Sequence, residues 1–407
     1  VDKPKVRLAV LADPHFYASE LGRDGPSFEA CLRFDTKVLR RSEELFDEGL
    51  ALIRDERPDI LLVPGDLTKD GEYHSHSRVA GKLAEVRESG IQVFAIPGNH
   101  DLNNPWARSY LSEPPSSVEN LTPAEFVALY GQFGYDNAIR RDEVSLSYLV
   151  EPFPGLQVLA LDVCDYDDNT SKPVTSGRLK PETAAWACET LREASRAGKT
   201  VLGLIHHNLL EHHRFQGLVM SDFIVRDWET ASKRLAEAGL KIVFSGHYHT
   251  QDVALARFGD DRFLFDVETG SILTYPCPLR FIEMEGSRLA IRSLSMADIP
   301  DRRDSVREEA LSAFAAGIRP RAMRMMTGLA IPPETAAEWV PRVVDAYLAH
   351  TVGDEAPGDG EKAVLARLAA HDLPALKLVG QYLEALWTNA PPPDNNLTID
   401  LEDGSFA

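Results

Sequence analysis

Six short apolar runs, each interrupted by a histidine, a carboxylate or a glycine turn, constrain this chain more than any other feature. They read VRLAVLAD (6–13), DILLVPGD (59–66), IQVFAIPG (91–98), LQVLALDV (156–163), TVLGLIHH (200–207) and KIVFSGHYH (241–249). Runs this short, bounded by turn residues, read as buried strands. Amphipathic segments at 34–56, 77–89, 181–197 and 222–238 alternate with them and predict helices. Strand followed by helix, repeated, predicts an α/β sheet with helices packed outside. DVALARF, RFLFDVE, LRFIEME and RLAIRSL then follow at hairpin spacing and predict antiparallel strands that complete a second sheet. The expected body is a two-sheet sandwich flanked by helices.

After about residue 296 the pattern changes. Trp339, Val343, Val344, Tyr347 and Leu348 recur at three- and four-residue steps, as do Val379, Tyr382, Leu383, Leu386 and Trp387. A length of 407 residues exceeds what one compact core usually holds. Two units are therefore expected, a first domain over 1–297 and a small all-α domain over 298–407. TVGDEAPGDG (351–360) reads as an exposed loop, and APPPDNNLTIDLEDG as an extended tail laid back on the body. The helical part is expected to shape a pocket rim, dock a partner or form a homo-oligomer.

Composition excludes several classes. No apolar stretch approaches the roughly 18–20 residues of a spanning helix. A net charge of −20 argues against stable nucleic-acid binding, which calls for a basic footprint. Cys31, Cys164, Cys188 and Cys277 show neither C-x-x-C nor zinc-finger spacing and are expected to be buried free thiols. The chain starts at Val1 without Met or a signal-like segment, which leaves a removed leader, and so a cytoplasmic or exported location, open.

The chemistry sits at the strand ends. These carry Asp13 and His15, Asp66, the run Asn99, His100 and Asp101, the pair His206 and His207, and His247 with His249. In an open α/β sheet the carboxyl ends of strands share one crevice. Residues two apart in extended backbone project to one side, so Asp13 with His15, and His247 with His249, are expected to aim inward. Imidazoles, carboxylates and an amide oxygen without thiolates suit Mn, Fe or Zn. There are too many for one tetrahedral ion, so two ions sharing Asp66 are expected. Gly65, Gly98 and Gly246 are expected where a Cβ would clash at the turns.

The ordered set D-x-H, G-D, G-N-H-D, H and G-H-x-H resembles that of the calcineurin-like metallophosphoesterase superfamily, over roughly residues 5–295. The resemblance implies a four-layer αββα sandwich with a binuclear centre. It places Asp13, His15 and His249 on one metal, Asn99, His206 and His247 on the other, and Asp66 between them. His100 would donate a proton near the scissile phosphate, oriented by Asp101. The implied reaction is hydrolysis by in-line attack of a metal-bridging hydroxide. GDLTKDGEYHSH and IHHN, with the helical C-terminal part, further resemble a bacterial cyclic-nucleotide phosphodiesterase branch, which points to small phosphodiester or nucleotide substrates. A phosphomonoesterase, a nucleotide pyrophosphatase and a non-catalytic scaffold are the alternatives.

Other side chains carry weaker signals. His207 is expected behind the ligands or in the adjacent layer, and His74 and His76 at the pocket or on a helix surface. His212 and His213 are expected to face solvent. Arg280 could meet a substrate phosphate, but pairing with a carboxylate is the stronger expectation. Met323, Met325 and Met326 read as helix packing, and GRDGPS (22–27) makes no P-loop.

Overall fold

A computed structural model of the chain describes residues 5–259, 261–299 and 304–407. The strands are β1 (Lys5–Val10), β2 (Ile60–Val63), β3 (Gln92–Ala95), β4 (Arg108–Ser109), β5 (Ser116–Ser117), β6 (Arg140–Arg141), β7 (Tyr148–Phe153) and β8 (Leu156–Leu161). They continue with β9 (Thr200–Ile205), β10 (Ile242–Ser245), β11 (Asp252–Arg257), β12 (Phe263–Glu268), β13 (Pro278–Glu285), β14 (Arg288–Ser295) and β15 (Asn396–Asp400). The α-helices are α1 (Pro26–Leu32), α2 (Ser42–Glu56), α3 (Tyr73–Glu88), α4 (Pro123–Leu129), α5 (Pro181–Arg196), α6 (Gln216–Val219) and α7 (Trp228–Ala238). Four more follow the strands, α8 (Asp304–Gly328), α9 (Pro333–Val352), α10 (Asp359–Ala369) and α11 (Pro374–Leu386).

Two sheets carry the body. One has the order β15-β14-β13-β1-β2-β3, the other β11-β12-β10-β9-β8-β7-β6, and β4 with β5 forms a small ribbon. The parallel cores β1-β2-β3 and β12-β10-β9-β8 are buried on both faces, as parallel strands generally are. Side-chain alternation shows how the layers arise. Val158 and Ala160 of β8, Leu202 and Leu204 of β9, and Ile242 and Phe244 of β10 belong to the large core shared with the first sheet, α2 and α3. Their neighbours Leu159, Leu161, Val201 and Val243 point the other way, into a second core with Leu191 of α5 and Leu235 of α7. A side-chain period of two thus gives each strand of this sheet two apolar partners. The result is helices, sheet, sheet, helices, the expected four-layer sandwich.

The four late strand runs do not complete one sheet. β11 pairs antiparallel with β12, which joins β10 in parallel in the second sheet, whereas β13 and β14 extend the first through β1. Hairpin spacing fixes which neighbours pair, but the sheet a hairpin joins is chosen by long-range register. Helices α8, α9 and α11 pack around Phe314, Met326, Trp339, Val343, Val379, Leu383 and Leu386. Met323 and Met325 pack against that cluster, as their spacing predicts. The tail then returns: β15 pairs antiparallel with β14 at the edge of the first sheet. All four cysteines are free, and Cys164, Cys188 and Cys277 are buried. Among the described residues, no helix is long and apolar enough to cross a membrane.

Candidate metal centre

The polar strand ends share an unusual backbone. Asp13 (φ 49°), His15 (φ 37°), Asp66 (φ 46°), His247 (φ 74°) and His249 (φ 64°) all adopt the left-handed region. For a non-glycine residue this costs of order 1–3 kcal/mol and persists only where the surroundings enforce it. The extended geometry expected for the Asp13/His15 and His247/His249 pairs is therefore absent, and each chain segment curls instead. Close approach forces the glycines. A Cβ on Gly98 would lie 2.2 Å from the Asp66 backbone nitrogen and from its Oδ1, and one on Gly246 would lie 2.2 Å from Asp13 Oδ2. Any side chain at either position would push a carboxylate out of the cluster.

Curling brings the donors together in two overlapping groups. Asp13, His15, Asp66 and His249 each offer an atom within 4.8 Å of the others, and so do Asp66, His206 and His247. Asp66 belongs to both: its Oδ2 is 3.5 Å from His15 Nε2 and its Oδ1 is 3.3 Å from His206 Nε2. Asn99 Oδ1 is 3.2 Å from that same His206 nitrogen. The far side of each ring in the second group is fixed by backbone: Pro64 O accepts from His206 Nδ1 at 2.7 Å, and Asp222 O accepts from His247 Nε2 at 3.1 Å. A donated N–H at one ring nitrogen leaves the other with its lone pair facing inward, the usual arrangement of a metal-binding imidazole.

Charge points the same way. Asp13 and Asp66 are buried, and among the described residues their only charged partners are histidines. Burial would lower the His206 pKa, but the neighbouring Asp66 outweighs it and holds the ring at about 9. Burial together with the adjacent His207 and His206 drives His247 well below its ordinary value. Paired buried carboxylates among imidazoles are the donor set that divalent first-row ions take up, and an ion bound there would displace the His206 proton.

His100 stands at the edge of this cluster, with Nε2 4.0 Å from Asp66 Oδ2. Its Nδ1 donates to Lys69 O at 2.6 Å and lies 3.1 Å from Asp70 Oδ1. Burial opposes its charge, yet Asp66 and Asp70 raise its pKa to about 9. Asp101 does not orient this ring, contrary to expectation. Its carboxylate accepts from the backbone of Gly98 (2.8 Å), Leu67 (3.0 Å) and Thr68 (3.0 Å), locking the Asp66 turn against the Asn99 turn. Adjacent residues in a tight turn point apart, so the orienting carboxylate comes from the other loop. Asp70 lies four residues beyond Asp66 in GDLTKD, the one sequence cue that could have marked it.

The remaining candidates separate cleanly. His207 lies behind the ligands, its ring 4.0 Å from that of His247 and its Nε2 donating to Thr175 O at 2.8 Å. His76 is buried away from the cleft and braces the Asp66 loop through Thr68 Oγ1 (3.1 Å) and Asp101 O (3.1 Å). His74 is exposed near Glu20. Arg280 meets neither a phosphate site nor a carboxylate: fully buried, it donates to the carbonyls of Glu268, Asp252 and Asp394. A guanidinium has five donors, and three carbonyls of strands and tail absorb them better than one carboxylate could. His212 and His213 are buried rather than solvent-facing, because α9 and β11 cover the loop that bears them. His212 Nδ1 is 2.7 Å from Asp252 Oδ1, and His213 Nε2 is 3.0 Å from the Tyr248 hydroxyl.

A cleft of about 540 Å³ opens onto the cluster, exposing His15, Asp66, His100, His247 and His249. Its far wall comes from the helical region: Phe314, Ile318, Arg321 and Arg324 of α8, with Tyr347 and Thr351 of α9.

The calcineurin-like phosphoesterase profile matches residues 6–251, which contain every donor named above. The chain belongs to the calcineurin-like phosphoesterase family. A search of curated proteins finds no match. Among solved structures, a dimetal phosphatase from Danio rerio is 14% identical, with a TM-score of 0.51 over 72% of this chain and 96% of that one. The phosphopantetheinyl hydrolase of Mycobacterium tuberculosis is also 14% identical, with a TM-score of 0.32 over 66% and 90%. Family membership makes the protein a metal-dependent phosphohydrolase with a binuclear centre, and the donors present fit that centre.

Proposed function

We propose that the protein is a phosphodiesterase acting on small diesters of the cyclic-nucleotide kind. Asp13, His15 and His249 would hold one ion, Asn99, His206 and His247 the other, with Asp66 shared. When bound, such ions stabilise negative charge on phosphoryl oxygens and lower the pKa of water toward about 7. The chain's own contribution is positioning and proton supply. His100, its Nδ1 tied to Lys69 O and Asp70, presents Nε2 to the cleft and delivers a proton to the leaving alkoxide. Asp70, which takes no part in holding the ions, favours the protonated form of this ring. Asp70 keeps the ring in this orientation, and Asp101 holds together the two turns from which Asp66 and His100 project.

One observation carries the diester reading. The cleft onto which His100 opens is lined by the aromatic side chains Phe34, Phe223 and Tyr347 and by Arg321 and Arg324. This suits a substrate whose phosphate bears an organic group on each side, one of them planar. Residues 1–297 would then carry the chemistry and part of the substrate lining, and 298–407 would add Tyr347, Arg321 and Arg324 to it. A phosphomonoesterase or nucleotide pyrophosphatase would use the same centre without needing the second organic group. Rates on bis-p-nitrophenyl phosphate and p-nitrophenyl phosphate with Mn²⁺ supplied separate these readings. The diester should be preferred, and strong preference for the monoester would refute the assignment. A panel of cyclic and linear nucleotides then narrows the substrate.

A further inference from the structure

A second set of metal-competent side chains lies outside the catalytic centre. Asp252 at the start of β11, His350 near the end of α9 and Glu355 in the following loop each bring a donor atom within 4.8 Å of the other two. All three side chains are buried, those of His350 and Glu355 to within 1%. Their hydrogen bonding does not close. His350 Nδ1 is 3.0 Å from Glu355 Oε1, but 3.8 Å from Asp252 Oδ2, beyond hydrogen-bond range. Glu355 Oε2 and His350 Nε2 have no hydrogen-bond partner among the described residues.

Two cations lie nearby, His212, kept charged against burial by Asp252 and Asp266, and Arg280, and among the described residues neither pairs with Glu355. Asp252 Oδ1 receives His212, whose other nitrogen lies 3.6 Å from Asp266. Arg280 is close, but its donors go to backbone carbonyls and the Ser293 hydroxyl. A carboxylate buried with an unused oxygen is costly unless something cationic meets it. Donor separations of 3.0 and 3.8 Å bracket the edges of a coordination shell with bonds of roughly 2.0–2.2 Å.

We propose that Asp252, His350 and Glu355 hold a third divalent ion, Zn²⁺ or Mn²⁺, that fastens α9 to the edge strand β11. Two carboxylates and one imidazole, with no thiolate, suit these ions. The ion has a functional consequence. Tyr347 and Thr351, on the same turns of α9 as His350, wall the catalytic cleft. Pinning α9 therefore sets the position of that wall against the strand-end centre.

The test is metal counting on the full chain. After loading with Zn²⁺ and removal of free ion, wild type should carry one more equivalent per chain than Glu355→Gln or His350→Gln. Asp66→Asn should lose ions at the strand ends while keeping this one, so failure here is distinguishable from failure of the catalytic assignment. Equal metal content in wild type and a folded Glu355→Gln would overturn the proposal. Should both variants misfold, anomalous diffraction at the zinc edge from wild-type crystals decides. A peak among the three side chains supports the site, and a blank there beside peaks at the strand ends refutes it.

Discussion

The strand-end centre and the Asp252, His350 and Glu355 cluster are built from the same kinds of side chain on opposite kinds of backbone. At the first, five donors sit at left-handed φ, and two glycines stand where a Cβ would come within 2.2 Å of a carboxylate. At the second, Asp252 opens a regular strand and His350 lies within a regular helix. The first uses backbone strain to crowd six donors around the Asp66 carboxylate in an open cleft. At the second, left-handed backbone is confined to Gly353 and Asp354 in the loop that bears Glu355, and packing of α9 against β11 closes the cluster from solvent. Strain thus falls on the donors themselves at the strand ends, and beside a single donor at the second cluster.

The contrast can be broken most directly at Asp66. Asp66→Asn removes the carboxylate common to both donor groups, and loss of several kcal/mol of charge stabilisation should lower diester hydrolysis by more than about 10⁴-fold. Metal at the strand ends should fall with it, while unfolding temperature changes little. If metal content were unchanged, the centre would not depend on that shared residue. His100→Asn should cost about 10²- to 10⁴-fold in kcat without loss of metal. Asp70→Asn should follow it in kcat, whereas Asp101→Asn should chiefly lower stability, since Asp101 touches turns and not the ring. Equal kcat losses at Asp70 and Asp101 accompanied by unchanged stability would contradict that division.

Two smaller effects sharpen the comparison through stability. Burial holds the His76 pKa down to about 3, against 6.5 for the free side chain. Below 6.5 the unfolded chain binds a proton that the folded chain refuses, so stability is lost as pH falls from 6.5 toward 3. His76→Gln should flatten that decline by up to about 3 kcal/mol at pH near 4, measured by denaturant unfolding. A parallel pH profile in the variant would show that His76 is not held neutral. Gly98→Ala should destabilise by about 1–3 kcal/mol, because the new methyl meets Asp66. Gly81→Ala, on an exposed face of α3 with nothing within 4 Å of its Cβ, should instead stabilise by roughly 0.5–1 kcal/mol. The same substitution with opposite signs would separate close approach from helix propensity.

Legibility followed the same divide. Asp13, His15, Asp66, Asn99, His100, His206, His247 and His249 stand in short motifs that close apolar strands, so strand topology alone brings them to one edge. Asp70 is not legible because it follows the motif in a loop, where nothing in the spacing says which way a carboxylate turns. His212 and His213 look solvent-facing in sequence because the elements that bury them lie far along the chain, and local polarity gives no sign of a distant cover. Asp252, His350 and Glu355 come from a strand, a helix and a loop with about a hundred residues between the first and the second, and no periodicity links them.

Alternating apolar runs and their polar ends were enough, on the sequence alone, to fix the layered α/β body, the crevice and the family to which the chain belongs, because strand ends in such a sheet share one edge. Only the tertiary structure decided that the donors would curl into left-handed backbone, that Asp70 rather than Asp101 would hold His100, and that α8 and α9 would wall the cleft. Those outcomes depend on which distant surfaces pack together and on the direction of single side chains in tight turns, and neither is encoded in local spacing.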